Sequence, residues 1–159
     1  MTLRQNILDL ARDHGVTIAT AESCTGGMIS AALTDLAGSS AVFEFGFVTY
    51  SNAAKVQLLG VQQDTLDAFG AVSEEVAKQM CEGARAASGA DIAIAVTGIA
   101  GPGGSDHKPE GRVCFGITSK TGTCTETVEF GAIGRENVRS ATRDHALSLA
   151  FDRLSHLAT

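Results

Sequence analysis

The sequence predicts an α/β fold: a three-layer α/β/α sandwich around a mixed, mostly parallel five-stranded sheet. Three observations carry that prediction. Helical and strand-like patterns alternate as far as residue 96, the run at 92–96 is almost wholly apolar as in a strand covered on both faces, and the segments 112–119 and 123–130 flank Thr121-Gly122 like the arms of a tight hairpin. Alternation implies parallel strands joined by helical crossovers, and the hairpin adds an antiparallel pair.

The elements follow in chain order. Leu3, Ile7, Leu10 and Ala11 recur at helical spacing and stop near Gly15, a C-terminal cap. Residues 16–21 read as a short strand. Thr25-Gly26-Gly27 then leads into Met28, Ile29, Ala32, Leu33 and Leu36, the apolar face of a helix that ends at Gly38. Residues 42–50, rich in Phe and Val, form a second strand, with a short helical stretch at 53–59. Ser73 caps the next helix, Glu74 and Glu75 fill its first turn, and Val76, Met80, Ala84 and Ala87 carry its apolar face to Gly89. After the strands at 92–96, 112–119 and 123–130, Val138, Ala141, His145 and Leu149, with Leu147, Ala150 and Leu154 offset by a turn, mark a long last helix. On that face His145 reads as a packed core histidine.

Composition narrows the function classes. The chain has 159 residues, 44% apolar and 19% charged, with no Trp, no repeat and no Pro-rich linker, so residues 1–159 read as one domain. A net charge of −6 without any basic run argues against nucleic acid as a partner. No apolar stretch approaches the ~18 residues that a membrane span needs. Asp9, Arg12 and Asp13 stand where an export signal would be apolar, which makes the cytoplasm the expected compartment. The four cysteines, at 24, 81, 114 and 124, have no metal-ligand spacing and are expected as free thiols. Few aromatics and a modest core favour a homo-oligomer.

Glycine is the count that stands out. The chain has 18, against about 11 at average usage. Gly26 and Gly27 adjoin one strand-to-helix junction, and Gly98, Gly101, Gly103, Gly104 and Gly111 cluster after the third strand. In Thr20-Ala21-Glu22-Ser23-Cys24-Thr25-Gly26-Gly27, Ser23 or Cys24 at a helix N-terminus could be a nucleophile beside oxyanion-binding amides, or Ser23 or Thr25 could simply cap the helix. In Thr49-Tyr50-Ser51-Asn52-Ala53-Ala54-Lys55, Lys55 lies five residues past Tyr50, near enough for both to reach one pocket if the two strands are parallel; a solvated lysine is the plainer reading. Thr97-Gly98-Ile99-Ala100-Gly101-Pro102-Gly103-Gly104 matches neither the P-loop nor the dinucleotide fingerprint. Its glycines could expose amides to an anion or form a floppy connector, and 106–110 reads as a solvated tip. Arg135 and Arg139 share a helix face that could grip a phosphate or carboxylate.

Together, Ala21-Glu22-Ser23-Cys24-Thr25-Gly26-Gly27, Gly38-Ser39-Ser40, Gly46-Phe47-Val48-Thr49-Tyr50-Ser51-Asn52, Ala71-Val72-Ser73 and the Thr97 to Gly104 motif resemble the CinA C-terminal domain family over nearly the whole chain. The resemblance implies hydrolysis of the carboxamide of nicotinamide mononucleotide to nicotinic acid mononucleotide and ammonia, a small-molecule reaction in pyridine nucleotide recycling. It implies Ser23 as nucleophile, Lys55 as general base and Tyr50 as the residue that orients or relays the proton, with Cys24 a bystander. Thr25, Gly26 and Gly27 would offer amides to the oxyanion or phosphate. Thr97, Gly98, Ala100 and Gly101, with Arg135 and Arg139, would line the nucleotide pocket. No metal or cofactor enters this scheme. A non-catalytic nucleotide-binding or regulatory module linked to competence and DNA damage is the alternative. Relatives often have Asp where this chain has Gly134, which bears on the pocket rim or on oligomer contacts. Larger members carry a further N-terminal domain with a nucleotide pyrophosphatase role, and that activity is not expected here.

Overall fold

In a computed structural model, which describes residues 2–157, five strands form one sheet: β1 (Ile18–Glu22), β2 (Phe43–Val48), β3 (Ile92–Gly98), β4 (Arg112–Ser119) and β5 (Gly122–Glu129). Their order across the sheet is β2-β1-β3-β4-β5. β1 pairs parallel with both β2 and β3, while β3–β4 and β4–β5 are antiparallel. Four strands therefore point one way and β4 alone points back, which is the mixed, mostly parallel sheet that the sequence predicts.

Helices cover both faces. α1 (Leu3–Asp13), α2 (Met28–Thr34) and α6 (Arg135–Leu157) pack on one face, and α3 (Asn52–Leu59), α4 (Gln63–Phe69) and α5 (Glu74–Ser88) on the other. The strand period of two sorts side chains by size. Ile18, Ile92, Ile94 and Val96 meet Ile7, Leu8, Ile29, Leu33, Leu147 and Leu154 on the first face. Ala19, Ala21, Ala93 and Ala95 meet Val76, Met80 and Ala84 of α5 on the second. Small side chains let α5 lie close to the sheet, and α3 lies close to α5: a Cβ on Gly83 would fall 1.8 Å from the carbonyl oxygen of Leu59. α3 is thereby held against the α5 layer, which matters because α3 carries Lys55.

The register sets the level of the candidate site. Glu22 pairs with Val48 on one side and Val96 on the other, so the chain leaves β1, β2 and β3 at one level of the carboxyl edge. That edge, beside the point where the connections reverse, is where open α/β sheets bind ligands.

Three details depart from the sequence reading. α4 was not anticipated, because only Leu66 in Gln63–Phe69 is buried and no apolar stripe announces a helix. α2 stops at Thr34, short of the expected Leu36 and Gly38, because Gly38 at φ +88° turns the chain into a short 3-10 helix at Ser39–Ala41. His145 is only partly buried; its imidazole meets Glu126 and packs edge-on to Phe115, with ring centroids 4.6 Å apart. Cys24, Cys81 and Cys114 are buried free thiols and Cys124 is an exposed one. Among the described residues no helix is long and apolar enough to cross a membrane.

Candidate active site

At the carboxyl edge, β1 ends on Glu22 and Ser23 follows immediately, its amide donating to Val96 O of β3 at 3.1 Å. Across from it, Ser51 caps α3 by accepting the Ala54 amide at 3.1 Å, which places Lys55 one turn into the helix. The lysine side chain runs inward, not to solvent. Lys55 is 1% exposed, and its Nζ lies 3.0 Å from Ser23 Oγ and 3.0 Å from the carbonyl oxygen of Tyr50. Ser23 Oγ also approaches that carbonyl, at 3.4 Å.

Burial decides the charge of this pair. It lowers Lys55 from 10.5 to about 8, because an ammonium is costly away from water. A lysine so placed is neutral in part of its molecules near neutral pH, and a neutral amine can accept a hydroxyl proton. Cys24 moves the other way: burial pushes its thiol up to about 12, so it remains a neutral thiol and a poor nucleophile.

Tyr50 meets the pair through its main chain. Its ring is exposed, and its phenol oxygen accepts a hydrogen bond from Arg135 Nη2 at 2.9 Å. The atom that touches Ser23 and Lys55 is the main-chain carbonyl, which any residue would supply there.

A cavity of about 320 Å³ opens over the pair, within the range of small-molecule sites. Ser23, Tyr50 and Lys55 line it together with Thr97, Gly98, Ala100, Gly101 and Arg135. Thr97 Oγ1 donates to Ala71 O at 2.8 Å, tying the end of β3 to the segment before α5. Gly101 takes φ +90°, and a Cβ there would sit 2.0 Å from Glu110 Oε1. Only glycine fits that bend. Arg135 Nη1 donates to the Gly101 carbonyl, bridging the glycine loop and Tyr50.

Four expected site residues lie outside the lining: Thr25, Gly26, Gly27 and Arg139. The Thr25 hydroxyl, the Gly26 amide and the Arg139 guanidinium are engaged in the framework. Thr25 is fully buried with its hydroxyl on Glu22 Oε1 at 2.6 Å, and the Gly26 amide closes a turn onto Ser23 O at 3.1 Å. Gly27 is the N-cap residue of α2, at φ +111°. Arg139 donates through Nε to Cys24 O and through Nη2 to Thr25 O, both at 3.1 Å. The two arginines share a helix face as expected, yet each holds main chain: Arg139 the β1–α2 turn, Arg135 the glycine loop.

Three residues that the sequence reading left without a role also shape the site. Glu22 is 0% exposed and accepts from Thr25 Oγ1, the Ile29 and Ser30 amides and Ser30 Oγ at 2.6–3.0 Å. An acid in an otherwise apolar strand end, with hydroxyl residues following, was its only signal. Lys108 and Glu110, read as part of a solvated tip, are structural. Lys108 Nζ caps the Phe69 and Val72 carbonyls at 2.6 Å each, and Glu110 Oε1 accepts the Gly103 amide at 2.7 Å. Among the described residues no group of three or more His, Cys, Asp or Glu is arranged to hold a metal ion.

Known proteins share this arrangement of chain. The family model described as CinA C-terminal domain matches residues 1–154. The putative competence-damage inducible protein of Symbiobacterium thermophilum is 48% identical over 158 residues, covering 93% of this chain and 37% of the relative. The chain thus spans little more than a third of that longer protein. The nicotinamide-nucleotide amidohydrolase PncC of Escherichia coli K12 is 46% identical over 154 residues, covering 96% of this chain and 93% of that one. Among solved structures, the competence/damage inducible protein CihA of Agrobacterium tumefaciens matches with a TM-score of 0.92 at 47% identity, covering 96% of this chain and 93% of its own. On the strength of a match over nearly its whole length, the chain belongs to the CinA C-terminal domain family.

Proposed function

We propose that this protein hydrolyses the carboxamide of nicotinamide mononucleotide, giving nicotinic acid mononucleotide and ammonia, with Ser23 as nucleophile and Lys55 as its base. The observation that carries the reading is the buried contact of 3.0 Å between Lys55 Nζ and Ser23 Oγ. A nucleophile and a base within hydrogen-bond reach, the base brought near neutrality by burial, are what an activated serine requires. The E. coli relative named a nicotinamide-nucleotide amidohydrolase, covered over 93% of its length, supports the choice of substrate.

In this reading Ser23 Oγ attacks the amide carbon while its proton passes to neutral Lys55. The tetrahedral intermediate collapses, the lysine returns the proton to the leaving nitrogen, and ammonia departs from an acyl-serine. Water, deprotonated by the same lysine, attacks the ester and frees the acid and Ser23. Of the turn after Ser23 only Cys24 lines the cavity, and its amide stabilises the oxyanion. Arg135, with Thr97, Gly98, Ala100 and Gly101, binds the nucleotide end of the substrate. Arg139 and the Thr25 to Gly27 turn act behind this surface as its support.

The test is ammonia release from nicotinamide mononucleotide by the wild type and by Ser23→Ala and Cys24→Ala. Turnover by the wild type, its loss by roughly 10³ or more in Ser23→Ala, and its survival in Cys24→Ala are expected. Tight mononucleotide binding without turnover would instead favour the non-catalytic module.

A further inference from the structure

We infer that Glu22 is a positioning residue for Ser23: its carboxylate locks the β1–α2 turn from the opposite face of the sheet. This inference rests on the serine-nucleophile reading above. Adjacent residues of a strand point to opposite faces, so the Ser23 hydroxyl meets α3 while the Glu22 side chain meets α2.

A buried carboxylate is expensive unless every lone pair finds a donor. An aliphatic residue would fill the same place in a strand at no such cost. Glu22 is fully buried and has four donors: two amides of α2, Ile29 N at 2.9 Å and Ser30 N at 3.0 Å, and the hydroxyls of Thr25 and Ser30 at 2.6 and 2.7 Å. Gly27, the N-cap residue, has no side chain to satisfy those amides, and Glu22 does so in its place. Ser30 Oγ is fixed in turn by Thr20 Oγ1 of β1 at 2.7 Å. The segment 23–30 is thus closed at its far end onto the residue that precedes it. The Glu22 carbonyl also accepts the Thr49 amide at 2.9 Å, which sets the neighbouring main chain that presents the Tyr50 carbonyl. The turn that carries Ser23 and the carbonyl that Ser23 faces are both referred to one residue. The amino end of α2 is filled from within and is not where a substrate anion sits.

Glu22→Gln keeps the shape, but its amide group turns an N–H toward donors. A displacement of about 1 Å at a reacting group can cost on the order of 100-fold in rate. In protein that remains folded, the expected result is a kcat lower by roughly 10- to 100-fold, a KM within about threefold of wild type, and an unchanged pH midpoint, since Lys55 is untouched. Faster hydrogen exchange confined to residues 23–30 is expected alongside. Wild-type kcat in folded Glu22→Gln overturns the proposal, as does a large rise in KM at constant kcat, which would make Glu22 a substrate-binding group. If Glu22→Gln does not fold, Ser30→Ala, which removes one of the four donors, decides: a several-fold loss of kcat at constant KM supports positioning, and unchanged kcat overturns it. If the wild type releases no ammonia, the amidase reading fails by itself. Glu22 is then judged by exchange alone, faster at 23–30 in either variant supporting the role and unchanged exchange overturning it.

Discussion

The loops that leave β1 and β3 start at the same level of the sheet and face one cavity, yet they are built in opposite ways. Behind Ser23 the turn is buried up to Thr25 and cross-braced: Glu22 holds its donors and Arg139 holds the Cys24 and Thr25 carbonyls. The loop after Thr97 is rich in glycine and largely exposed at its tip, and its side-chain holds, Glu110 on the Gly103 amide, Arg135 on the Gly101 carbonyl and Lys108 on the Phe69 and Val72 carbonyls, lie at the surface. The first wall suits chemistry, where a fraction of an ångström matters. The second suits a substrate that must enter and leave. Damage to the first wall should therefore appear in kcat, and damage to the second in KM.

The largest expected effect is at the floor between them. Lys55→Met removes the base and should cost roughly 10³ or more in kcat, as loss of an essential catalytic group does. The same change should raise the thermal midpoint. A lysine held at about 8 instead of 10.5 implies that burying its ammonium costs about 3 kcal/mol at neutral pH, and methionine of similar length carries no charge. Calorimetry together with the ammonia assay checks both signs. A variant that is inactive and less stable would contradict the account of Lys55.

The pH dependence carries the same sign. Below about 8 Lys55 holds its proton and cannot accept another, so the rate should fall about tenfold per pH unit on the acid side and level off above. Between about 8 and 10.5 the unfolded chain binds the proton that folded Lys55 has lost, so this residue's contribution to stability rises with pH there. An acid limb that persists unchanged in a Lys55 variant with residual activity would assign the titration to another group.

Smaller effects belong to the rim. Gly101→Ala must place a Cβ at φ +90° against Glu110 Oε1, a backbone strain of about 1–2 kcal/mol before the clash is relieved. Steady-state kinetics should show KM raised about tenfold with kcat within about threefold. A fall in kcat alone would erase the distinction between the two walls. Tyr50→Phe should change kcat by only a few-fold, because the carbonyl that faces Ser23 and Lys55 remains and only the bond to Arg135 is lost. A loss comparable to that of Lys55→Met would restore the phenol as the proton relay.

Most of this frame was legible in the sequence. Periodicity located all five strands and most helices, and α4 escaped because a single buried Leu66 leaves no pattern to find. The level at which Ser23, Thr49 and Thr97 emerge followed from parallel pairing, which local residues do not specify. Burial was the harder matter. Lys55 reads as a surface lysine because nothing near it in sequence reveals that α3 is drawn against α5 at Gly83. For the same reason Lys108 and Glu110 had no visible role: their partners are main-chain groups, which carry no sequence signal, and Glu22 has two main-chain amides among its four donors, so the hydroxyls of Thr25 and Ser30 were its only trace. The arginine pair was found by spacing, but its engagement of carbonyls in two different loops was not.

The measurement that most directly tests the central claim, a serine made nucleophilic by a buried lysine, is rapid-quench mass spectrometry of the protein during turnover of nicotinamide mononucleotide. An acyl adduct on the peptide that contains Ser23, absent in Ser23→Ala and still formed in Cys24→Ala, is the predicted result. An adduct on Cys24, or steady turnover by Ser23→Ala, would contradict it.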